Sequence, residues 1–183
     1  KAIIPVHLSG RAADMDSIRE IAKAHGLLII EDAAQALFSK YRGEYCGTQS
    51  DAGCFSFSVA KLLPTGQGGA IAIRSEEIYK QLKQIRSHGV DDVINVTYAR
   101  MGFNFRITDL QSAIGLSQLA KVEQRLLSLN QVYSRYESAM GRFPFLKLIP
   151  VNVSQSEVPL YVEVLCEERK RLIDFLAVHE IQA

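Results

Sequence analysis

Three short stretches of this 183-residue chain hold residue types that could act on one ligand together. Glu31-Asp32 closes the apolar run of residues 27–30. Ligands of open α/β sheets bind beyond the carboxyl ends of the strands, so an acid there is a site candidate, with a helix cap or solvated loop acid as the plainer reading. Lys61 follows the run Phe55-Ser56-Phe57-Ser58-Val59-Ala60, and Gly66-Gln67-Gly68-Gly69 comes shortly after it. An amine just past a buried strand is costly unless paired or covalently used. Desolvation favours the neutral amine, the form that attacks a carbonyl. The glycines let the backbone turn tightly and approach a ligand closely. A solvated loop lysine beside a flexible turn is the alternative.

These residues need a sheet to place them. Residues 2–6 read as a buried strand, residues 14–24 as a helix with Met15, Ile18, Ile21 and Ala22 on one face and Gly26 as its stop, and residues 27–30 as a second strand. Strand, helix and strand with short links imply a right-handed βαβ unit in a parallel sheet. Residues 54–57 and 70–74 give a third and a fourth strand. Their Gly-rich link is too short for a crossover helix, so they should run antiparallel and make the sheet mixed. Ser75 is placed to cap a helix over residues 76–86, and residues 90–105 read as irregular. Thr108 and Gln111 have the spacing of a capping box opening a helical pattern that runs to Met140, either as one long helix or as two with a bend near residues 127–130. Beyond Phe143 the pattern changes, with a strand expected over residues 158–165 and a helix over residues 167–179. The expected fold is α/β: a mixed, mostly parallel sheet sandwiched by helices, followed by the start of a small α+β domain. The expected division is 1–125 for the large domain and 126–183 for the linking helix and small domain.

Composition narrows the possibilities. Hydrophobic residues make up 48% of the chain, enough for a substantial core, and the formal net charge is +1. That balance carries no footprint for nucleic acid, and no apolar run approaches the roughly 20 residues that span a bilayer. Cys46, Cys54 and Cys166 are odd in number and lack metal-ligand spacing. They read as free thiols of a reducing compartment, which points to the cytoplasm. The chain opens at Lys1 and enters a strand almost at once. A domain rarely begins on a core strand, so a piece of a longer protein is expected.

The three stretches also occur in an order. Glu31-Asp32-Ala33-Ala34-Gln35, then Ser56-Phe57 with Lys61, then Gly66, Gly68 and Gly69, resemble the DegT/DnrJ/StrS family of pyridoxal-phosphate-dependent sugar aminotransferases. The resemblance extends upstream to Pro5-Val6-His7-Leu8 with Gly10 and Ala13-Asp14-Met15-Asp16. Downstream it runs through Arg86-Ser87-His88-Gly89, then Gly102-Phe103-Asn104-Phe105-Arg106 and Thr108-Asp109-Leu110-Gln111. It covers residues 1–125.

The resemblance implies a set of roles. The lysine matching Lys61 carries the cofactor covalently and shuttles a proton during catalysis. The acid matching Asp32 pairs with the pyridine nitrogen and keeps it protonated, which suits an electron sink. Gln35 matches a residue that packs on or bonds to the ring, and Ser56 a hydroxyl that binds the phosphate. Asn104 matches an asparagine reaching the phosphate in the neighbouring subunit, which implies an obligate homodimer with shared sites. The expected reaction moves an amino group from an amino acid, glutamate by expectation, to a keto sugar carried on a nucleotide. The alternatives are a sugar dehydratase of the same fold, in which a histidine replaces the lysine, and a non-catalytic regulatory member.

His7 and His88 read as structural histidines. Arg86 and Arg106 are open between substrate binding and holding the chain. Gln67 stands where the family more often has glutamate, and Leu37-Phe38 where it has small residues. The family's N-terminal segment, with a helix N-terminus that binds phosphate, is expected to lie outside this chain.

Overall fold

The computed structural model describes residues 1–92, 94 and 96–182. Ala2–Ile3 (β1), Met15–His25 (α1) and Leu28–Asp32 (β2) form the opening unit. β1 and β2 pair in parallel, and an isolated parallel bridge between Val6 and Asp32 extends the pairing. Asp14 caps α1 by accepting from the Ser17 N–H, and Gly26 ends it in the left-handed region at φ 59°, where a side chain would be strained. Met15, Ala22 and Ile29 form a buried cluster with Ile3, Ile18 and Leu27 packed around it, so Met15, Ile18 and Ala22 of α1 lie on β1 and β2, while Ile21, expected on the same face, is exposed.

A hairpin of Lys40–Tyr41 (β3) and Glu44–Tyr45 (β4) follows. Ala52–Ser56 (β5) then pairs parallel to β2, and Gly69–Ile73 (β6) antiparallel to β5. The strand order is β1-β2-β5-β6, the mixed sheet expected from the short Gly-rich link. The carboxyl ends of β1, β2 and β5 therefore share one edge with the start of β6. Gly53 lies so close beneath Gly47 that a Cβ on it would come within 1.8 Å of the Gly47 carbonyl oxygen. The loop before β5 thus lies directly on that strand.

Glu76–Arg86 (α2) has the bounds expected from sequence, and Ser75 caps it by accepting from the Ile78 N–H. The stretch read as irregular contains the antiparallel pair Val90–Asp92 (β7) and Thr97–Tyr98 (β8). Residues 93 and 95 within it lie outside the described residues. Asp109–Leu119 (α3) opens on the predicted capping box, with both Thr108 and Gln111 bonds made.

The pattern read as one long helix, or as two with a bend at residues 127–130, is two helices parted earlier, at Ala120-Lys121, after which Val122–Met140 (α4) runs unbroken. No Gly or Pro marks the break. Arg125, in the first turn of α4, reaches back to the Leu62 carbonyl at 3.0 Å and to the Gln118 side chain, tying the start of α4 to α3 and to the segment after β5.

The strand expected at residues 158–165 is only Val164–Cys166 (β10), paired antiparallel with Leu146–Leu148 (β9), and the last helix is Arg169–Val178 (α5). Pro159 has no N–H to give a ladder, and Val158 is held elsewhere. Its N–H donates to Ser39 Oγ (3.0 Å), and that hydroxyl donates to the Gly10 carbonyl (2.7 Å). Lys40 N–H donates to the Ser156 carbonyl, and Arg11 pairs with Glu163 at 2.6 Å. Residues 156–163 thus strap the second part of the chain onto the turn after β1. Among the described residues no helix is long and apolar enough to cross a membrane.

Candidate functional site

Asp32 is the last residue of β2, in register with Cys54 of β5. Its backbone is held on both sides: its N–H donates to the Pro5 carbonyl (2.8 Å), and its carbonyl accepts from the His7 N–H (3.0 Å). One side-chain oxygen accepts from the Ala34 N–H at 3.0 Å, an Asx-type turn. The other has no hydrogen bond among the described residues. Burial and the Asp32 charge together push the neighbouring Cys54 thiol up.

Ser56 ends β5, two residues beyond Cys54, and pairs with Gly69 across the ladder. A Cβ on Gly69 would lie 2.7 Å from the Phe55 carbonyl oxygen, so only glycine fits without a shift. The loop between β5 and β6 is tied down from within. Phe57 N–H donates to the Gly68 carbonyl, Thr65 N–H to the Phe57 carbonyl, and Thr65 Oγ to the Gln67 carbonyl at 2.8 Å. Gln111 of α3 donates to that same Gln67 carbonyl at 2.8 Å, joining the capping box to the glycine loop.

Lys61 lies in the turn after β5, with its N–H donating to the Ser58 carbonyl. It is half-buried rather than enclosed, and its ammonium group has no hydrogen bond or ion pair among the described residues. It borders a pocket of about 410 Å³ lined also by Leu62, Pro64, Arg125, Leu129 and Leu160, a volume suited to a small ligand.

Asp32 and Ser56 thus end the neighbouring parallel strands β2 and β5, and Lys61 and the glycine loop belong to the segment joining β5 to β6. The pocket that Lys61 borders is lined by neither Asp32 nor Ser56. Gln35 is beside them but already engaged: its side-chain oxygen accepts from the Ser9 N–H at 2.8 Å. This bond fixes the amide so that its NH₂ group stays available as a donor. Asn104 stands apart. It is exposed, bridges Ser87 and accepts from Arg106 at 3.2 Å; Thr108, not Asn104, caps the helix that follows.

By sequence His7 reads as structural and Glu31 only as Asp32's neighbour. Both are fully buried, and His7 Nε2 lies 3.0 Å from Glu31. The Ala13 N–H donates to His7 Nδ1, so Nε2 carries the ring hydrogen and donates to the carboxylate. Glu31 also accepts from the Gly47 N–H (2.7 Å) and the Gln49 N–H (2.8 Å). Burial by itself would raise the Glu31 pKa, but the His7, Gly47 and Gln49 donors outweigh it and hold the carboxyl below its ordinary value. The available signal was the pairing of His7 and Glu31 at the ends of two strands that should be neighbours.

Comparison with known proteins gives a consistent result. The sequence profile of the DegT/DnrJ/EryC1/StrS aminotransferase family matches residues 1–183. GDP-perosamine synthase of Caulobacter vibrioides is 41% identical over 142 residues, 78% of this chain and 38% of that protein. A DegT/DnrJ/EryC1/StrS aminotransferase from Brucella abortus superposes with a TM-score of 0.90 at 32% identity, covering all of this chain and 48% of its own. GDP-4-keto-6-deoxy-D-mannose-3-dehydratase of E. coli, with bound hydrated PLP, superposes at 0.86 and 25% identity, covering 100% of this chain and 52% of its own. The chain thus spans about half the length of these relatives, or less.

Proposed function

The chain belongs to the DegT/DnrJ/EryC1/StrS aminotransferase family, and we propose that the protein it forms is a pyridoxal-phosphate-dependent sugar aminotransferase. Its reaction moves an amino group from an amino acid, glutamate by preference, to a nucleotide-linked keto sugar. The observation that supports this reading is that a carboxylate with one free oxygen and a serine hydroxyl end two neighbouring parallel strands, with a lysine that has no partner among the described residues and a glycine loop in the segment that follows.

These residues fit the cofactor chemically. Lys61 Nζ would carry it and would move the proton taken from the donor's α-carbon. Asp32 would hold a proton at the pyridine nitrogen, since a carboxylate beside a cationic ring favours the charged form. Ser56 Oγ would bind phosphate, and Gln35 would present its amide to the ring. When bound, the cofactor supplies an electron sink for the charge left on that carbon. Asn104 is assigned to the phosphate of a partner subunit, in a homodimer with shared sites. Exposed Tyr98, Met101, Phe103, Phe105 and Leu110 around it support a covered surface there. The division into a large domain (1–125) and the start of a small one (126–183) belongs to the same reading, as does a cytoplasmic location, supported by three free cysteines.

A dehydratase of the same fold is the second reading, and Lys61, at the position where those relatives carry histidine, favours transfer. A non-catalytic regulatory role is disfavoured by the intact set of Asp32, Ser56 and Lys61. Incubating the intact, cofactor-loaded protein with glutamate tests the proposal. Formation of 2-oxoglutarate with conversion of the cofactor to its amine form is expected. No conversion with any amino donor would overturn it.

A further inference from the structure

Behind Asp32 lies a fully buried polar pair that the reaction itself does not use. Glu31 immediately precedes Asp32, so along a strand its side chain points to the opposite face of the sheet. There its two oxygens accept three hydrogen bonds, from His7 Nε2 and from the N–H groups of Gly47 and Gln49. His7 is held in turn by the Ala13 N–H at 3.0 Å, and its own N–H donates to the Asp32 carbonyl at 3.0 Å. One carboxylate therefore joins three segments: the turn after β1, the end of β2, and the loop that lies on Gly53 of β5.

We propose that His7 and Glu31 are positioning residues that fix the backbone of Asp32, and with it the direction of the Asp32 carboxylate toward the cofactor ring. The proposal rests on the cofactor reading above. The pair is costly to keep for packing alone, because a buried carboxylate and imidazole must be fully hydrogen-bonded to be tolerated. An apolar pair would fill the same space without that demand. A hydrogen-bonded pair adds what apolar packing lacks, a fixed direction for each strand end. Outer residues of this kind commonly change ligand affinity by about ten- to a hundredfold in metal sites, and a comparable scale is expected here.

The test uses two substitutions in the intact protein. His7→Asn keeps an oxygen near the place of Nδ1 for the Ala13 N–H but cannot reach Glu31. His7→Gln places an amide N–H near Nε2 and restores that donor. Amide exchange of the cofactor-free protein and pyridoxal phosphate titration are both read, with the melting temperature of each cofactor-free variant as reference. In His7→Asn, exchange at the Asp32 amide should rise about tenfold, and the cofactor Kd should rise about tenfold or more. His7→Gln should recover most of both at a similar melting temperature. Two results would overturn the proposal: wild-type Asp32 exchange and Kd in His7→Asn, or losses in both variants that follow melting temperature alone. Wild type that fails to bind the cofactor would instead sink the functional reading, while the exchange measurement would still report on the pair.

Discussion

Ser56 and Gly69 are register partners at the last rung of the β5–β6 ladder, so the hydroxyl assigned to phosphate and the end of the glycine loop share one position. A Cβ at 69 would press on the Phe55 carbonyl oxygen at 2.7 Å. Gly69→Ala should therefore push β6 away from β5. A loss of roughly 1–3 kcal/mol in chemical denaturation is expected, the usual cost of an overpacked site, together with weaker cofactor binding.

Ser39 holds the strap. Its hydroxyl accepts from the Val158 N–H and donates to the Gly10 carbonyl, all within a buried contact. Ser39→Ala leaves two buried backbone groups without a partner and should cost about 2 kcal/mol in urea unfolding. An unchanged midpoint would mean that the strap is not held through this residue.

Glu31 gives stability a pH dependence of defined sign. Its folded-state pKa lies below the ordinary value of 4.5, by the balance of burial against its donors. Its contribution is thus fully present above about pH 4.5 and is lost as pH falls through the folded-state pKa. Glu31→Gln should be less stable than wild type at neutral pH, because its amide turns a donor toward donors. The difference should shrink as pH is lowered from about 5, followed by denaturant midpoints. A gap that stays constant down to pH 3 would contradict the assignment.

Cys46 should be silent to thiol reagents in the native state. Burial, reinforced by the charges of Glu31 and Glu157, pushes its thiol up to about 12. At pH 8 only about one part in 10⁴ is then thiolate. Labelling of Cys46 should proceed at the rate of unfolding, read by mass spectrometry of its peptide, whereas rapid native labelling would refute the buried placement.

Much of the fold that carries the candidate site was legible from residue pattern because its parts follow local rules. The stop at Gly26, the Ser75 cap and the Thr108–Gln111 box depend on neighbours in sequence, and the short Gly-rich link dictated the antiparallel β6. The missed β7–β8 pair is local, but the other misreadings involve distant partners. Just past the helix break at residues 120–121, Arg125 is tied to Leu62, 63 residues away. Val158 leaves the strand pattern for Ser39, 119 residues away. The same applies to His7 and Glu31. Each alone is an ordinary strand-end residue, and only the parallel pairing of β1 with β2 makes them a buried pair. Lys61 was read as following a buried strand, and the strand is there, but the lysine itself is half-buried at the rim of a pocket.

The most direct test of the account is to load the intact protein with pyridoxal phosphate, reduce it with borohydride and map the modified peptide. The account predicts a phosphopyridoxyl group on Lys61 in stoichiometric yield, absent from Lys61→Ala. A stable adduct on another lysine, or none while the folded protein is exposed to excess cofactor, would contradict it.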